Sequence, residues 1–130
     1  DCLTQNITYH ETGLEAGLKT VTGRDLKNNV ADVVLRRRIY GDAAYHLAVV
    51  TDDSDQGITH VVRGQDLQDA TQIHVLLQTL LRLNIPIFHH HSLIRGKDEK
   101  RLAKRTDSKA LAKYRSDGAT ARDIRSLLGL

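Results

Sequence analysis

The sequence has 130 residues, of which 40% are hydrophobic and 27% charged, and this is the size and composition of one globular domain. Its net charge of +3 leans towards polyanionic partners but is too small to establish one. The single cysteine, Cys2, excludes an internal disulfide and favours a reducing compartment, and no apolar run is long enough to cross a bilayer. These features predict a cytoplasmic protein without a membrane partner.

The first half of the chain alternates between polar and β-branched segments. The run "NITYHE" predicts a short strand, and the glycine-containing polar stretch "ETGLEAGLKTVTGRDLKNN", residues 11–29, predicts irregular structure or an excursion. Three β-branched apolar runs then predict strands: "DVVLRRR" at residues 32–38, Ala44–Thr51, and Ile58–Arg63. Because the turn-rich segment "DDSDQG" separates the last two runs, we expect them to be neighbouring strands.

The period of the apolar residues changes in the second half. Residues 71–83 space apolar side chains as one face of a helix, with Asp69 and Gln72 as a capping box and Pro86 beyond the end. "IPIFHHHSLI" resumes as a strand, and two short helical patterns follow, the last from Thr120. Strands that alternate with helices predict an α/β fold.

Two clusters resemble metal sites but are better explained otherwise. Asp52, Asp53 and Asp55 lack the later glutamate of a calcium loop, and turn chemistry accounts for them. On a strand, the imidazoles of residues 89–91 alternate between two faces, and no further ligand lies at a suitable spacing. We therefore predict no zinc site, one inward imidazole and two outward ones.

Two basic clusters stay open on these grounds. Arg36, Arg37 and Arg38 fit a solvated strand end better than a phosphate site. Five basic residues between Lys97 and Arg105 fit a solvated helix face, a contact with a nucleic-acid backbone, or a loop that closes on a nucleotide phosphate.

Tyr45 and Arg63 form a further candidate site. On predicted strands they converge at one sheet edge, where a phenol and a planar guanidinium suit a carboxylate ligand. The alternative is a tyrosine at the rim of the core and an arginine at the surface.

Four segments, in chain order, resemble the second half of a class I glutamyl-tRNA synthetase catalytic domain: "DVVLRRR", "AYHLAVVTDDSDQGITHVVRGQDL", "FHHHSLI" and "KRLAKR". The middle segment is the most specific. The likeness runs from about Asp32 to the C-terminus and is strongest to the short glutamyl-Q tRNA(Asp) synthetase branch. The last residues, "GATARDIRSLLGL", also resemble the natural end of that branch.

The resemblance assigns roles to individual residues. Tyr45 and Arg63 match the tyrosine and arginine that hold glutamate, and Asp66 lies in an element that approaches the nucleotide. "RLAKR" takes the place of the KMSKS loop, which implies that Lys104 acts on ATP as the catalytic lysine and that Arg101 supports it. Ala103 replaces the usual serine of that loop.

The implied reaction is activation of glutamate by ATP, with Mg²⁺ expected alongside ATP, and transfer of the glutamyl group to tRNA. In the short branch the acceptor is the queuosine base of tRNA(Asp), and in the full enzymes it is tRNA(Glu). The alternatives are an inactive basic RNA-binding module and a folded remnant.

The resemblance also bears on the organisation of the chain. We expect a poorly matched segment at residues 1–31, the second half of a Rossmann-like domain at 32–95, and a KMSKS-like loop with C-terminal helices at 96–130. Residues 1–31 carry no HIGH-type signature, and the sequence contains no methionine even at position 1. We therefore expect a piece of a longer enzyme, whose N-terminal half is its missing partner, and we expect the piece alone to be inactive.

Overall fold

The computed structural model describes residues 6–30, 32–95 and 110–129. Its strands are β1 Ile7–Glu11, β2 Gly17–Val21, β3 His60–Gly64 and β4 Ile87–His91. Its helices are α1 Gly23–Asn29, α2 Tyr45–Asp55, α3 Ala70–Leu81, α4 Leu111–Ser116 and α5 Ala121–Leu127. The chain divides into two compact units, residues 1–92 and residues 93–130. The boundaries expected from the sequence near residues 31 and 95 stay predictions.

The four strands form one mixed sheet in the order β2-β1-β4-β3. β1 and β2 make an antiparallel hairpin, whereas β1 and β3 each run parallel to β4. Two parallel strands need a crossover connection, and α3 supplies it between β3 and β4. The carboxyl ends of β3 and β4 therefore meet at one edge of the sheet.

The hydrophobic core lies between the sheet and the helices that cover it. Its buried members come from both strands and helices: Ile7, Tyr9, Val21, Leu26, Val75 and Phe88. The rings of Tyr9 and Phe88 meet edge to face, with centroids 5.5 Å apart, which is a favourable arrangement for aromatic pairs. Phe88 is 1% exposed, so β4 is a central, buried strand.

Several elements confirm the sequence predictions. β1, β3, β4 and α3 all lie within or almost within the predicted segments. α5 begins after Thr120, whose hydroxyl accepts from the backbone N–H of Asp123 while the Asp123 carboxylate accepts from the backbone of Thr120. This reciprocal cap satisfies N–H groups that have no partner inside the helix.

The strand predicted at Ala44–Thr51 is wrong, because these residues enter helix α2. A short apolar run does not distinguish a strand from a buried helix, and aspartates at 52, 53 and 55 oppose the helix dipole at its C-terminal end. Packing of α2 on α3 decides the outcome, with Val50 2% exposed. Gly57 ends the helix at φ +66°, a conformation that favours glycine.

Three smaller predictions are also wrong. Residues 32–38 form no strand and carry only an isolated bridge between Arg36 and Ala43. The segment after β1 is not irregular, since β2 and α1 lie within it. Asp69 precedes α3 in a helical backbone conformation with no side-chain cap, because a 3₁₀ turn at Gln65–Leu67 leads directly into that helix.

Gly13 holds β1 against β4, and we expect Gly13→Ala to be strongly destabilising. A Cβ at this position would lie 2.2 Å from the carbonyl oxygen of His90, a backbone atom that cannot move without opening the sheet. Thermal unfolding should show a loss of about 1–3 kcal/mol, as overpacking of a core produces. An unchanged melting temperature would show that the two strands separate at little cost.

Candidate functional site

A cluster of polar side chains surrounds Arg63 at the carboxyl edge of the parallel strands. Arg63 is the fourth residue of β3 and lies opposite His90 of β4 in the strand register. His74 and Thr71 reach the same point from the first turns of α3. Loops and side chains at this edge of a parallel sheet are the usual location of ligand sites in α/β folds.

The guanidinium of Arg63 is held by three side-chain hydrogen bonds. Its Nε donates to Nε2 of His90 at 3.0 Å, Nη1 to Nδ1 of His74 at 2.9 Å, and Nη2 to the hydroxyl of Thr71 at 2.7 Å. The guanidinium also lies over the ring of Phe88, 5.1 Å from its centroid, where the ring face attracts a cation. These contacts therefore fix the orientation of the planar guanidinium.

These contacts determine the tautomers of the two histidines. Arginine only donates, so Nε2 of His90 and Nδ1 of His74 must be unprotonated acceptors. The remaining nitrogens are donors: Nδ1 of His90 faces Glu11 Oε2 at 2.5 Å, and Nε2 of His74 faces Nδ1 of His46 at 3.0 Å. A continuous chain of hydrogen bonds thus runs outward from Arg63 in two directions.

Glu11 anchors one end of this chain. Its side chain is buried, and its Oε1 accepts from the backbone N–H groups of His90 and Gly13 at 2.9 and 2.8 Å. Burial alone acts to raise the pKa of Glu11, but the hydrogen bonds from His90 and Gly13 outweigh it and lower that pKa. Glu11 is therefore a stable buried carboxylate that balances Arg63 through a neutral imidazole.

Tyr45 lies beside Arg63, as expected, although for a different reason. It is the first residue of α2 rather than part of a strand, and half of its side chain is exposed. Burial lowers the pKa of Arg63, whereas the hydrogen bond and charge of the Tyr45 phenol act to raise it. The Tyr45 ring also meets the rings of His46 and His74 edge to face, with centroids 5.2 and 5.8 Å apart.

The positive charge of Arg63 has no carboxylate within ion-pair distance among the described residues. Its direct acceptors are neutral, and the nearest acidic groups that affect it, Asp53 and Glu11, act at longer range. The guanidinium of an arginine nevertheless stays protonated in a protein. This arrangement offers a half-buried cation, next to an exposed phenol, to an anionic ligand.

The other residues predicted for the site are not brought to this cluster by what is described. Asp66 is exposed and lies in the 3₁₀ turn that follows β3. Lys104 and Arg101 lie outside the described residues, so their predicted roles remain predictions.

Sequence reasoning missed four residues of the cluster, Glu11, His46, Thr71 and His74. Of the three histidines at 89–91, His90 is fully buried, His89 is partly exposed and His91 is exposed, which confirms one inward and two outward imidazoles. The partner that makes His90 inward, Glu11, is 79 residues away in the sequence, so no local pattern connects them. The sequence did contain one indication of the cluster, since His74 is a polar residue within the apolar face of α3.

Two cavities lie near these elements. One, of about 400 Å³, borders Tyr45 and His46 and is otherwise lined by Ile73 and by residues of the segment 29–34 and Ala44. The other, of about 350 Å³, lies at the amino ends of β3 and β4 and is lined by none of the residues around Arg63. In the described part of the chain, no three His, Cys, Asp or Glu side chains are arranged to hold a metal ion.

His74 should make the fold sensitive to acid. Burial, followed by the charge of Arg63 and the neighbouring His46 and His90, lowers the pKa of His74 from 6.5 to about 3. Between these values the unfolded chain binds a proton that the folded protein does not, so stability falls as the pH drops below 6.5. We expect this residue to remove about 2 kcal/mol between pH 7.5 and pH 5.

The measurement is the free energy of unfolding of the wild type and of His74→Asn across that pH range. The difference in free energy of unfolding between the wild type and His74→Asn should become smaller towards pH 5, because the variant lacks the titrating group. Parallel curves would contradict a neutral, buried His74.

The comparisons with known proteins agree with this fold. The model of the family described as "tRNA synthetases class I (E and Q), catalytic domain" matches residues 20–130, so the chain belongs to that family. None of the helices in the described ranges is long and apolar enough to cross a membrane.

Individual relatives point to two kinds of enzyme. The chain is 52% identical over 123 residues to a "Glutamyl-Q tRNA(Asp) synthetase" of Rhodobacter capsulatus, covering 94% of this chain and 44% of the relative. It is 41% identical over 91 residues to a "Glutamate--tRNA ligase" of Oleidesulfovibrio alaskensis, covering 70% of this chain and 20% of the relative. The chain thus spans less than half the length of these relatives.

A solved structure gives the same result for the fold. The crystal structure of a glutamate tRNA ligase from Elizabethkingia meningosepticum in complex with its amino acid superposes with a TM-score of 0.61 at 33% identity, over 79% of this chain and 19% of that chain. The fold is therefore a mixed α/β fragment of the class I glutamyl-tRNA synthetase catalytic domain, as the sequence predicted. The family match begins at residue 20, twelve residues before Asp32, where the resemblance in the sequence motifs starts.

Proposed function

We propose that this chain supplies the glutamate-binding arginine and the nucleotide-closing loop of a glutamate-activating synthetase. Arg63 and Tyr45 bind the amino acid, and Lys104, with Arg101 and Asp66, acts on ATP. The observation that carries the proposal is the Arg63 guanidinium, fixed in orientation by neutral partners and placed beside the Tyr45 phenol. A planar cation with free charge recognises a carboxylate through paired N–H donors.

The proposed reaction is formation of glutamyl-adenylate. An oxygen of the glutamate α-carboxylate attacks the α-phosphorus of ATP, the bond from that phosphorus to the bridging oxygen breaks, and pyrophosphate leaves. Negative charge grows on the phosphate oxygens, and the ammonium of Lys104 stabilises it more in the transition state than in the ground state. Mg²⁺ enters with ATP as part of the substrate.

The second step is transfer of the glutamyl group to tRNA. We propose the queuosine base of tRNA(Asp) as the acceptor, because the relative that shares 52% identity over almost the whole chain bears the name of a glutamyl-Q tRNA(Asp) synthetase. We propose the cytoplasm as its location, because the single cysteine suits a reducing compartment. The test compares tRNA(Asp) with and without queuosine and tRNA(Glu) as acceptors of labelled glutamate, and labelling of tRNA(Glu) alone would reject this acceptor.

The activation step is tested by glutamate-dependent ATP–pyrophosphate exchange. The full-length protein should exchange with glutamate, and the 130-residue chain by itself should show no exchange above background, because no HIGH-type motif is present in its sequence. Exchange by the isolated chain would overturn the second expectation. Failure of the full-length protein to exchange with glutamate, with or without tRNA, would overturn the proposed activity.

A second candidate function is RNA binding without catalysis. Arg36, Arg37 and Arg38 are all exposed, and together with the run Lys97–Arg105 they could neutralise phosphates. Such a binder loses affinity steeply with salt and shows little preference among sequences. Binding of tRNA that is equal for tRNA(Asp), tRNA(Glu) and an unrelated tRNA, without glutamate-dependent exchange, would favour this function or an inactive remnant.

A further inference from the structure

The side chains that hold Arg63 in place carry no negative charge, although a contact with substrate alone does not require this. Three side chains that orient the guanidinium by accepting from it are uncharged: the imidazoles of His90 and His74 and the hydroxyl of Thr71. A carboxylate in any of these places would pair with the guanidinium and compete with an incoming anion. Neutral acceptors fix the orientation of the fork and leave its charge available.

The two histidine acceptors are held in place by partners on two different elements. Glu11 of β1 receives Nδ1–H of His90, and this contact requires that Nε2 of His90 present a lone pair to Arg63. His46 of α2 receives Nε2–H of His74, and the lone pair of Nδ1 then faces Arg63. Glu11 only accepts, so it commits His90 to one tautomer from the side away from Arg63. The tautomer of His74 is set by Arg63 itself, and His46 supports it by accepting from the other ring nitrogen.

The ring stacking restricts movement further. His90 lies parallel to Phe88, with an interplanar angle of 5° and centroids 6.1 Å apart, and the same Phe88 ring supports the guanidinium. His74 is 2% exposed and His90 0%, so neither imidazole can turn without repacking the core. Preorganised groups of this kind bind a ligand without first losing side-chain entropy.

We infer that His74 and His90 are positioning residues that orient the Arg63 guanidinium for a carboxylate substrate. Behind them, Glu11 fixes which ring nitrogen of His90 accepts, and His46 holds the ring of His74 by accepting from its other nitrogen. This inference rests on the proposed role of Arg63 in binding glutamate. Neither histidine touches the substrate, so their replacement acts through the geometry of Arg63.

A reciprocal pair of substitutions separates positioning from simple packing. The side-chain amide of asparagine reaches the place of Nδ1 of histidine, and that of glutamine reaches the place of Nε2. At residue 74 the acceptor for Arg63 is Nδ1, so His74→Asn keeps it and His74→Gln does not. At residue 90 the acceptor is Nε2, so His90→Gln keeps it and His90→Asn does not.

The assay is ATP–pyrophosphate exchange by the full-length protein, with KM for glutamate and kcat measured for all four variants. We expect His74→Asn and His90→Gln to keep KM within about threefold of the wild type. His74→Gln and His90→Asn should raise KM about 10- to 100-fold, with a smaller effect on kcat, because a hydrogen bond to a charged group is lost. Substitutions of the exposed His60 serve as controls and should leave KM unchanged.

The opposite preference at the two positions is the decisive result, since general loss of packing predicts no such inversion. Equal KM values for asparagine and glutamine at both positions would overturn the inference. If the variants at one position do not fold, as thermal unfolding will show, the pair at the other position decides. Arg63→Ala distinguishes failure of the proposed function from failure of this inference. An unchanged KM for glutamate in Arg63→Ala rejects the proposed glutamate site. A raised KM in Arg63→Ala, without opposite preferences for asparagine and glutamine at residues 74 and 90, rejects only the positioning role.

Discussion

Replacing Arg63 by alanine should raise the KM for glutamate about 30- to 1,000-fold in ATP–pyrophosphate exchange by the full-length protein. Removal of a charge-assisted contact with a desolvated carboxylate costs about 2–4 kcal/mol, which corresponds to this range. The effect should fall mainly on KM rather than kcat, because the contact forms in the ground state as well as in the transition state.

Controls for this variant follow from its surroundings. Arg63→Lys keeps the charge but not the planar fork, so its KM should lie between those of the wild type and of Arg63→Ala. Arg24 is exposed in α1, and Arg24→Ala should leave the KM unchanged. Because Arg63→Ala removes the guanidinium donors to the buried His74 and His90, its melting temperature must be measured to show that the protein is folded in the assay.

Replacing Lys104 by alanine should lower the kcat of adenylate formation about 100- to 1,000-fold, the usual effect of removing one group that stabilises developing charge. The KM for glutamate should change by much less, because Lys104 is proposed to act on phosphate oxygens and not on the amino acid. Single-turnover formation of glutamyl-adenylate measures the chemical step directly.

The neighbouring positions provide matched comparisons. Arg101→Ala should reduce the rate by less than Lys104→Ala, since the first position of this loop already differs from the lysine of the KMSKS pattern. Ala103→Ser restores the usual serine and tests whether its absence affects the rate. An unchanged kcat in Lys104→Ala would favour the alternative interpretation of the run Lys97–Arg105, a solvated surface.

The sequence predicted the elements with a clear period better than those with a mixed signal. α3 has a sustained helical spacing of apolar residues, and β4 a buried β-branched and aromatic run, and both were found where expected. α2 was mistaken for a strand because the β-branched Val49 and Val50 and the acidic end favour other structures locally, and only packing on α3 makes the helix stable.

The sequence pointed to two residues of the Arg63 cluster, and their roles stay predictions. The resemblance pointed to Tyr45 and Arg63, and the structure places them together. It could not show Glu11, His74 or His46, because their role depends on contacts between β1, α2, α3 and β4 that are distant in sequence. A hydrogen-bond chain through several elements leaves no local pattern in the sequence.

A crystal structure of the full-length protein with glutamate is the most direct test of the proposed site. We predict one carboxylate of the ligand within about 3 Å of the Arg63 guanidinium, with the Tyr45 hydroxyl as a second donor. The histidine contacts of Arg63 should persist in the complex. Glutamate bound elsewhere, or Arg63 paired with a carboxylate of the protein instead of the ligand, would contradict the account.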